Sequence, residues 1–179
     1  MEDIILISSE KNIESIVGLA IKGDKDAFIT LINENRINLY RVAKGMLQSE
    51  ADIEDAIQNT IIKAYESIEK LRNEEFFKTW LIRILINQCN MTIRANKKLV
   101  TIENINVDNK YYDNYEDLDL SKAIASLNED LREVTVLYYY EDMAQSDIAK
   151  AMKIPQGTVK SKLYRAKEKL FELLKCEDN

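Results

Sequence analysis

Residues 145–169 read QSDIAKAMKIPQGTVKSKLYRAKEK, and their spacing predicts two helices joined by a tight turn. Ser146 is placed to cap the first helix, with Ile148 and Met152 inward and Ala149 small where a second helix must cross closely. Ile154 and Pro155 close the turn, because proline disfavours helix for the residue before it. Val159 and Leu163 anchor a second helix whose exposed face is expected to carry Lys160, Ser161, Lys162, Tyr164, Arg165 and Lys167. Such residues suit a helix that enters the DNA major groove: arginine forks onto guanine, while lysine and serine hold phosphates. The competing reading is an ordinary helical hairpin with solubilising lysines. Turn, small crossing residue and basic face coincide, which favours DNA binding.

The charge distribution agrees with that reading. The 179 residues carry 25 Lys and Arg against 31 Asp and Glu, yet residues 145–175 hold eight basic and three acidic side chains. Polyanion binding follows the field of one face and not the overall balance. Four glycines and one proline are too few for the turns of a sandwich or barrel, so an all-α chain is expected. Histidine is absent, which argues against His-based triads, His-ligated zinc or haem, and the usual neutral-pH general base. Cys89 and Cys176 stand far apart without a neighbouring ligand, so no metal cluster or disulfide framework is expected and a reducing cytoplasm is favoured. No apolar run approaches the ~18 residues of a membrane span, and the opening Met1-Glu2-Asp3 is acidic where a signal peptide is basic.

Helical periodicity runs through the first hundred residues. Ile13, Ile16, Val17 and Ala20 make one stripe, Gly23 stops it, and Asp24 caps the next, with Phe28, Leu31, Ile32, Leu39, Val42, Ala43 and Met46 inward. Ser49 with Asp52 resembles a capping box opening a third helix. After a polar loop near residues 69–75, Phe77, Trp80, Leu81, Ile84, Leu85 and Met91 mark a fourth. From about Val100 to Asp119 the pattern disappears among acidic residues. The expectation is a helical domain over residues 1–98, a flexible acidic linker over 99–119 and a small helical domain over 120–179.

At this point the sequence resembles the extracytoplasmic-function (group 4) sigma factors of the sigma-70 family, including a sigma-V-like subgroup. The stretch IAKAMKIPQGTVKSKLYRAKEKL resembles their region 4. Gly23-Asp24 with Ala27-Phe28, then Asp52-Ile53-Glu54-Asp55-Ala56-Ile57-Gln58, then Phe77-Lys78-Thr79-Trp80-Leu81 leading to Asn87 and Arg94 resemble region 2, in the same order. Lys153 departs from the pattern, where a turn glycine is frequent.

The resemblance implies a bacterial alternative sigma factor that carries no chemistry of its own. Core RNA polymerase is the implied partner, its largest-subunit clamp helices meeting Asp52, Glu54, Asp55 and Gln58. Promoter DNA is the second. Arg83, Asn87, Arg94, Lys97 and Lys98 are implied at a melted minus-ten element, and Thr158, Lys160, Ser161, Lys162, Tyr164, Arg165 and Lys167 at a minus-thirty-five duplex. An anti-sigma factor, often membrane-anchored in the family, is the implied regulator; no cofactor, metal or small-molecule substrate is implied. Two other classes fit parts of the chain: a stand-alone helix-turn-helix regulator, and a helical protein-interaction module.

Overall fold

The structure, a computed structural model, describes residues 16–102 and 115–175. Helix α1 covers residues 16–21 within the described part. It is followed by α2 (Lys25–Lys44), α3 (Glu50–Ser67) and α4 (Phe77–Ile102), then α5 (Tyr115–Ser126), α6 (Glu129–Tyr139), α7 (Gln145–Met152) and α8 (Gln156–Lys175). No strand occurs among the described residues. Ile13 lies outside them.

Local chemistry accounts for most boundaries. Gly23 takes a left-handed φ of 95°, and Asp24 accepts the Ala27 N–H at 3.0 Å to open α2. Ser49 caps α3 by accepting from Asp52 N at 3.5 Å. The expected loop at 69–75 is two short 3-10 turns, Ile68–Lys70 and Glu74–Phe76. The first helix of the basic stretch is capped differently from the sequence reading. It starts at Gln145 with Ala144 at the cap position, so Ser146 falls inside the first turn. Helix also enters both ends of the expected linker, over residues 99–102 and 115–119, while 103–114 lie outside the described residues.

In α4 the inward positions are Phe77, Leu81, Ile82, Leu85, Ile86, Cys89 and Ile93; Met91, expected inward, is exposed. Counting about 100° per residue puts position 91 on the flank away from that stripe. Trp80 is half-buried and packs against the core, its ring 5.9 Å from that of Phe77. Burial pushes the Cys89 thiol up to about 12, which makes it a core residue and not a nucleophile. One apolar cluster runs from α1–α4 into Ile124, Val134, Leu137, Ile148, Val159 and Leu163, so the two halves pack against each other.

Candidate nucleic-acid interface

Helices α7 and α8 form the helix-turn-helix. Lys153 closes α7 in the left-handed region at φ 55°, its N–H donating to the Lys150 carbonyl at 3.3 Å while the Ile154 N–H donates to the Ala149 carbonyl at 3.0 Å. That pair of bonds is a Schellman close, which usually takes glycine at the left-handed position. Val159, Leu163 and Ala166 bury one side of α8, and Lys160, Ser161, Tyr164, Arg165 and Lys167 are exposed on the other. Thr158 is half-buried at the edge. Lys162 does not join the exposed face: its side chain is 14% exposed and its Nζ lies 2.6 Å from Asp130 Oδ2 on α6. The helix turn places position 162 beside the buried row. Arg165 Nε reaches the Ser161 carbonyl at 3.4 Å, which aligns the guanidinium along the exposed face. Glu168 accepts the Tyr164 hydroxyl proton and thereby raises the phenol pKa.

On α4, Arg83, Asn87, Asn90 and Arg94 recur at helical spacing on one row facing away from the Leu81–Leu85–Cys89 side. Asn87 is exposed at the rim of a cleft of about 340 Å³, shared with Lys63, Glu66, Ser67, Lys70, Ile84 and Gln88. Amide groups beside an apolar isoleucine suit an unstacked base, and Lys70 suits its phosphate, while Lys63 is paired with Glu66 of the same cleft at 3.1 Å. Lys63 joins Asn87 at this cleft although the sequence reading did not single it out, because α3 and α4 meet there only in the fold. Arg83 and Arg94 are already engaged. Arg83 Nε lies 2.9 Å from Glu133 Oε1 and its Nη1 donates to the Ala151 carbonyl at 2.6 Å. Arg94 grips Glu129 with two nitrogens, at 2.6 and 3.1 Å. Lys97 and Lys98 continue α4, and their side chains lie outside the described residues.

The acidic group on α3 divides as well. Glu54, Asp55 and Gln58 are exposed together, whereas Asp52 is half-buried with its Oδ2 accepting from Asn96 Nδ2 at 2.9 Å. The same exposed row continues into Ile62 (54% exposed) and Tyr65 (49%), an apolar extension that residue types alone did not single out.

Known proteins share both halves of this arrangement. Residues 31–99 match Sigma-70 region 2, and residues 117–170 match Sigma-70, region 4. An ECF RNA polymerase sigma-E factor of Haemophilus influenzae is 32% identical over 173 residues, covering 87% of this chain and 91% of that protein. The chain belongs to the extracytoplasmic-function sigma factors. The RNA polymerase sigma factor SigV of Bacillus subtilis is 29% identical over 157 residues, covering 86% of this sigma factor and 95% of that protein. Among solved structures, CnrH in complex with the cytosolic domain of CnrY aligns with TM-score 0.68 at 23% identity, over 92% of this chain and 97% of that one. The sigma factor RpoE in complex with the anti-sigma factor NepR from Bartonella quintana aligns with TM-score 0.59 at 26% identity, over 82% and 97%. This sigma factor is therefore a two-domain all-α initiation factor that directs RNA polymerase to promoters. Its family is regulatory and not enzymatic. No described helix is long and apolar enough to cross a membrane.

Proposed function

We propose that this sigma factor uses three separate faces in initiation. The row Glu54, Asp55 and Gln58 on α3, with Ile62 and Tyr65, docks on the clamp helices of core polymerase; Asp52 supports it from the side through Asn96. Carboxylates on an exposed row complement a basic partner surface, and the apolar end adds buried area on binding. The cleft at Asn87, with the α4 row and Lys97 and Lys98 beyond it, holds the minus-ten element as single strand. The exposed face of α8 enters the minus-thirty-five major groove, with Arg165 and Lys160 nearest base edges and Lys167 at phosphates. Thr158, Ser161 and Tyr164 flank them. Residues 1–98 and 120–179 act as two units joined through 99–119. The RpoE relative is seen with an anti-sigma factor, which supports control of this chain by such a partner.

The observation that carries this reading is that the basic face of α8 and the α4 row fall in separately matched regions, as two-element promoter recognition requires. Run-off transcription on genomic fragments tests it: purified chain added to core polymerase should give discrete start sites. A chain that binds DNA alone and leaves core polymerase unspecific refutes it. Reversing Glu54 and Asp55 to lysine should weaken core affinity by more than about 2 kcal/mol while far-ultraviolet circular dichroism stays unchanged. Unaltered affinity removes α3 as the docking face.

A further inference from the structure

The loop between α6 and α7, residues 140–144, seats against the C-terminal end of α2 and carries Glu141 inward with it. That side chain is 12% exposed, and its Oε2 accepts from Asn38 Nδ2 at 2.8 Å. Its Oε1 is buried and receives no hydrogen bond from any described residue. The facing cation on α2, Arg41, has its Nη2 3.9 Å from Oε1 and donates instead to Asn38 Oδ1 at 2.8 Å and to the Tyr140 carbonyl. Lys78 at the start of α4 is exposed and adds a weak favourable field, while Asp142 next in the chain repels. We propose that Glu141 takes up a proton when this loop seats on α2, so that acid tightens the contact and alkali loosens it. Asn38 and Arg41 lie in the first matched region and the loop in the second, so the proton sets how firmly the two halves hold each other.

Packing on both sides of Glu141 holds it under cover. Gly45, the residue after α2, has helical backbone angles that any residue adopts, yet a Cβ there would overlap the Tyr140 ring. Glycine is needed at that position for space, and Tyr140 keys the loop into it. Beyond Glu141, Thr79 Oγ1 donates to Met143 Sδ at 3.8 Å, and the Met143 N–H donates to the Leu137 carbonyl at 3.2 Å. A carboxylate seated between these anchors loses most of its hydration for one hydrogen bond, whereas a carboxylic acid has no charge to hydrate and brings a donor of its own. Burial, with Asp142 acting in the same direction, outweighs the Asn38 bond and the charges of Arg41 and Lys78, and lifts the Glu141 pKa above the ordinary glutamate range. Once the loop is released, the same carboxyl meets water and its ordinary value returns. The contribution of Glu141 to seating is therefore fully present below the ordinary pKa and lost as pH rises through the raised one. Between the two, the seating equilibrium falls by up to about tenfold per pH unit.

The test uses the full chain with carbon-13 at the glutamate carboxyls, Glu141→Gln to assign the resonance, and Gly45→Ala as the unseated reference. Amide hydrogen exchange over residues 140–144, corrected for the intrinsic effect of pH, reads seating from about pH 5 to about pH 8. In the wild-type chain the Glu141 carboxyl should titrate above the exposed glutamates, and loop protection should fall along with it. Glu141→Gln stays neutral and should keep that protection level across the series. Gly45→Ala should lose the protection and return Glu141 to the range of the other glutamates while far-ultraviolet circular dichroism stays unchanged. Titration of the wild-type Glu141 within the ordinary range overturns the proposal, as do parallel pH dependences of loop protection in wild type and Glu141→Gln. A Gly45→Ala chain that frees the loop yet keeps the raised titration overturns it as well, since burial in the seat would not be the cause. If Gly45→Ala fails to fold, the comparison of wild type with Glu141→Gln decides alone.

Discussion

Replacing Arg132 with alanine should destabilise the protein by about 3–5 kcal/mol. The residue is 2% exposed. Its guanidinium donates to the carbonyls of Ile124, Ala125 and Leu127 at 3.0, 2.6 and 2.5 Å, and to Asn90 Oδ1 at 2.5 Å. It thus adds donors at the C-terminal end of α5, where the Ile124 carbonyl also takes the Leu127 N–H at 3.1 Å, and ties that end to α4. Truncation leaves four acceptors without this donor, at about 1 kcal/mol each, and opens a cavity whose cost adds to them. Loss of a desolvated cation works in the other direction: burial already lowers the Arg132 pKa, so part of the bond energy offsets desolvation. Asn90→Ala removes a single acceptor and should cost about 1 kcal/mol. Arg132→Lys keeps the charge, but one nitrogen cannot span both sides of the guanidinium plane, so it should recover less than half the loss. Urea unfolding followed by circular dichroism measures all three, with the Arg132→Ala, Asn90→Ala cycle giving a coupling of about 1 kcal/mol. A loss below about 1 kcal/mol for Arg132→Ala would refute the reasoning, because desolvation would then cancel the four bonds.

Lys153→Gly should stabilise the chain by up to about 1 kcal/mol in thermal unfolding, since glycine takes the left-handed close of α7 without a Cβ penalty. Its DNA affinity should stay the same. Glu141 is held above the ordinary glutamate range, chiefly by burial, against the Asn38 hydrogen bond and the charges of Arg41 and Lys78. A raised folded pKa means its contribution is fully present below the unfolded pKa and lost as pH rises through the folded one. Glu141→Gln should therefore stabilise at neutral pH and flatten the melting profile just above the ordinary glutamate pKa; parallel profiles for the two proteins would refute this. On α8, Arg165→Ala should cost about 1–3 kcal/mol on the preferred promoter and relax base preference, whereas Lys167→Ala should weaken all sequences alike and lower the salt slope by about one. Lys162→Ala should leave that salt slope near the wild-type value, because Asp130 already neutralises the ammonium. A promoter-variant binding matrix at several salt concentrations separates these outcomes.

The order of elements, the helix class and the basic recognition helix were legible in the residues because they are local. Periodicity, Gly23, Asp24, Ser49 and Pro155 act within a turn or two of chain, and the exposure of Lys160, Ser161, Tyr164 and Arg165 follows from the buried row Val159–Leu163–Ala166 beside them. Where a side chain's fate depends on another element, residue type was silent. Lys162 and Arg165 are both basic residues of one helix, but Asp130 on α6 claims the first and leaves the second open. The resemblance implied Arg83 and Arg94 as phosphate ligands, and only the packing of α6 across α4 brought Glu133 and Glu129 to them. Arg132 is the sharpest case: an arginine in sequence reads as surface, since an isolated buried charge is costly. It became a core residue because a helix end and an asparagine from the other domain supply acceptors for its guanidinium nitrogens, an arrangement of partners distant in sequence that no local pattern encodes.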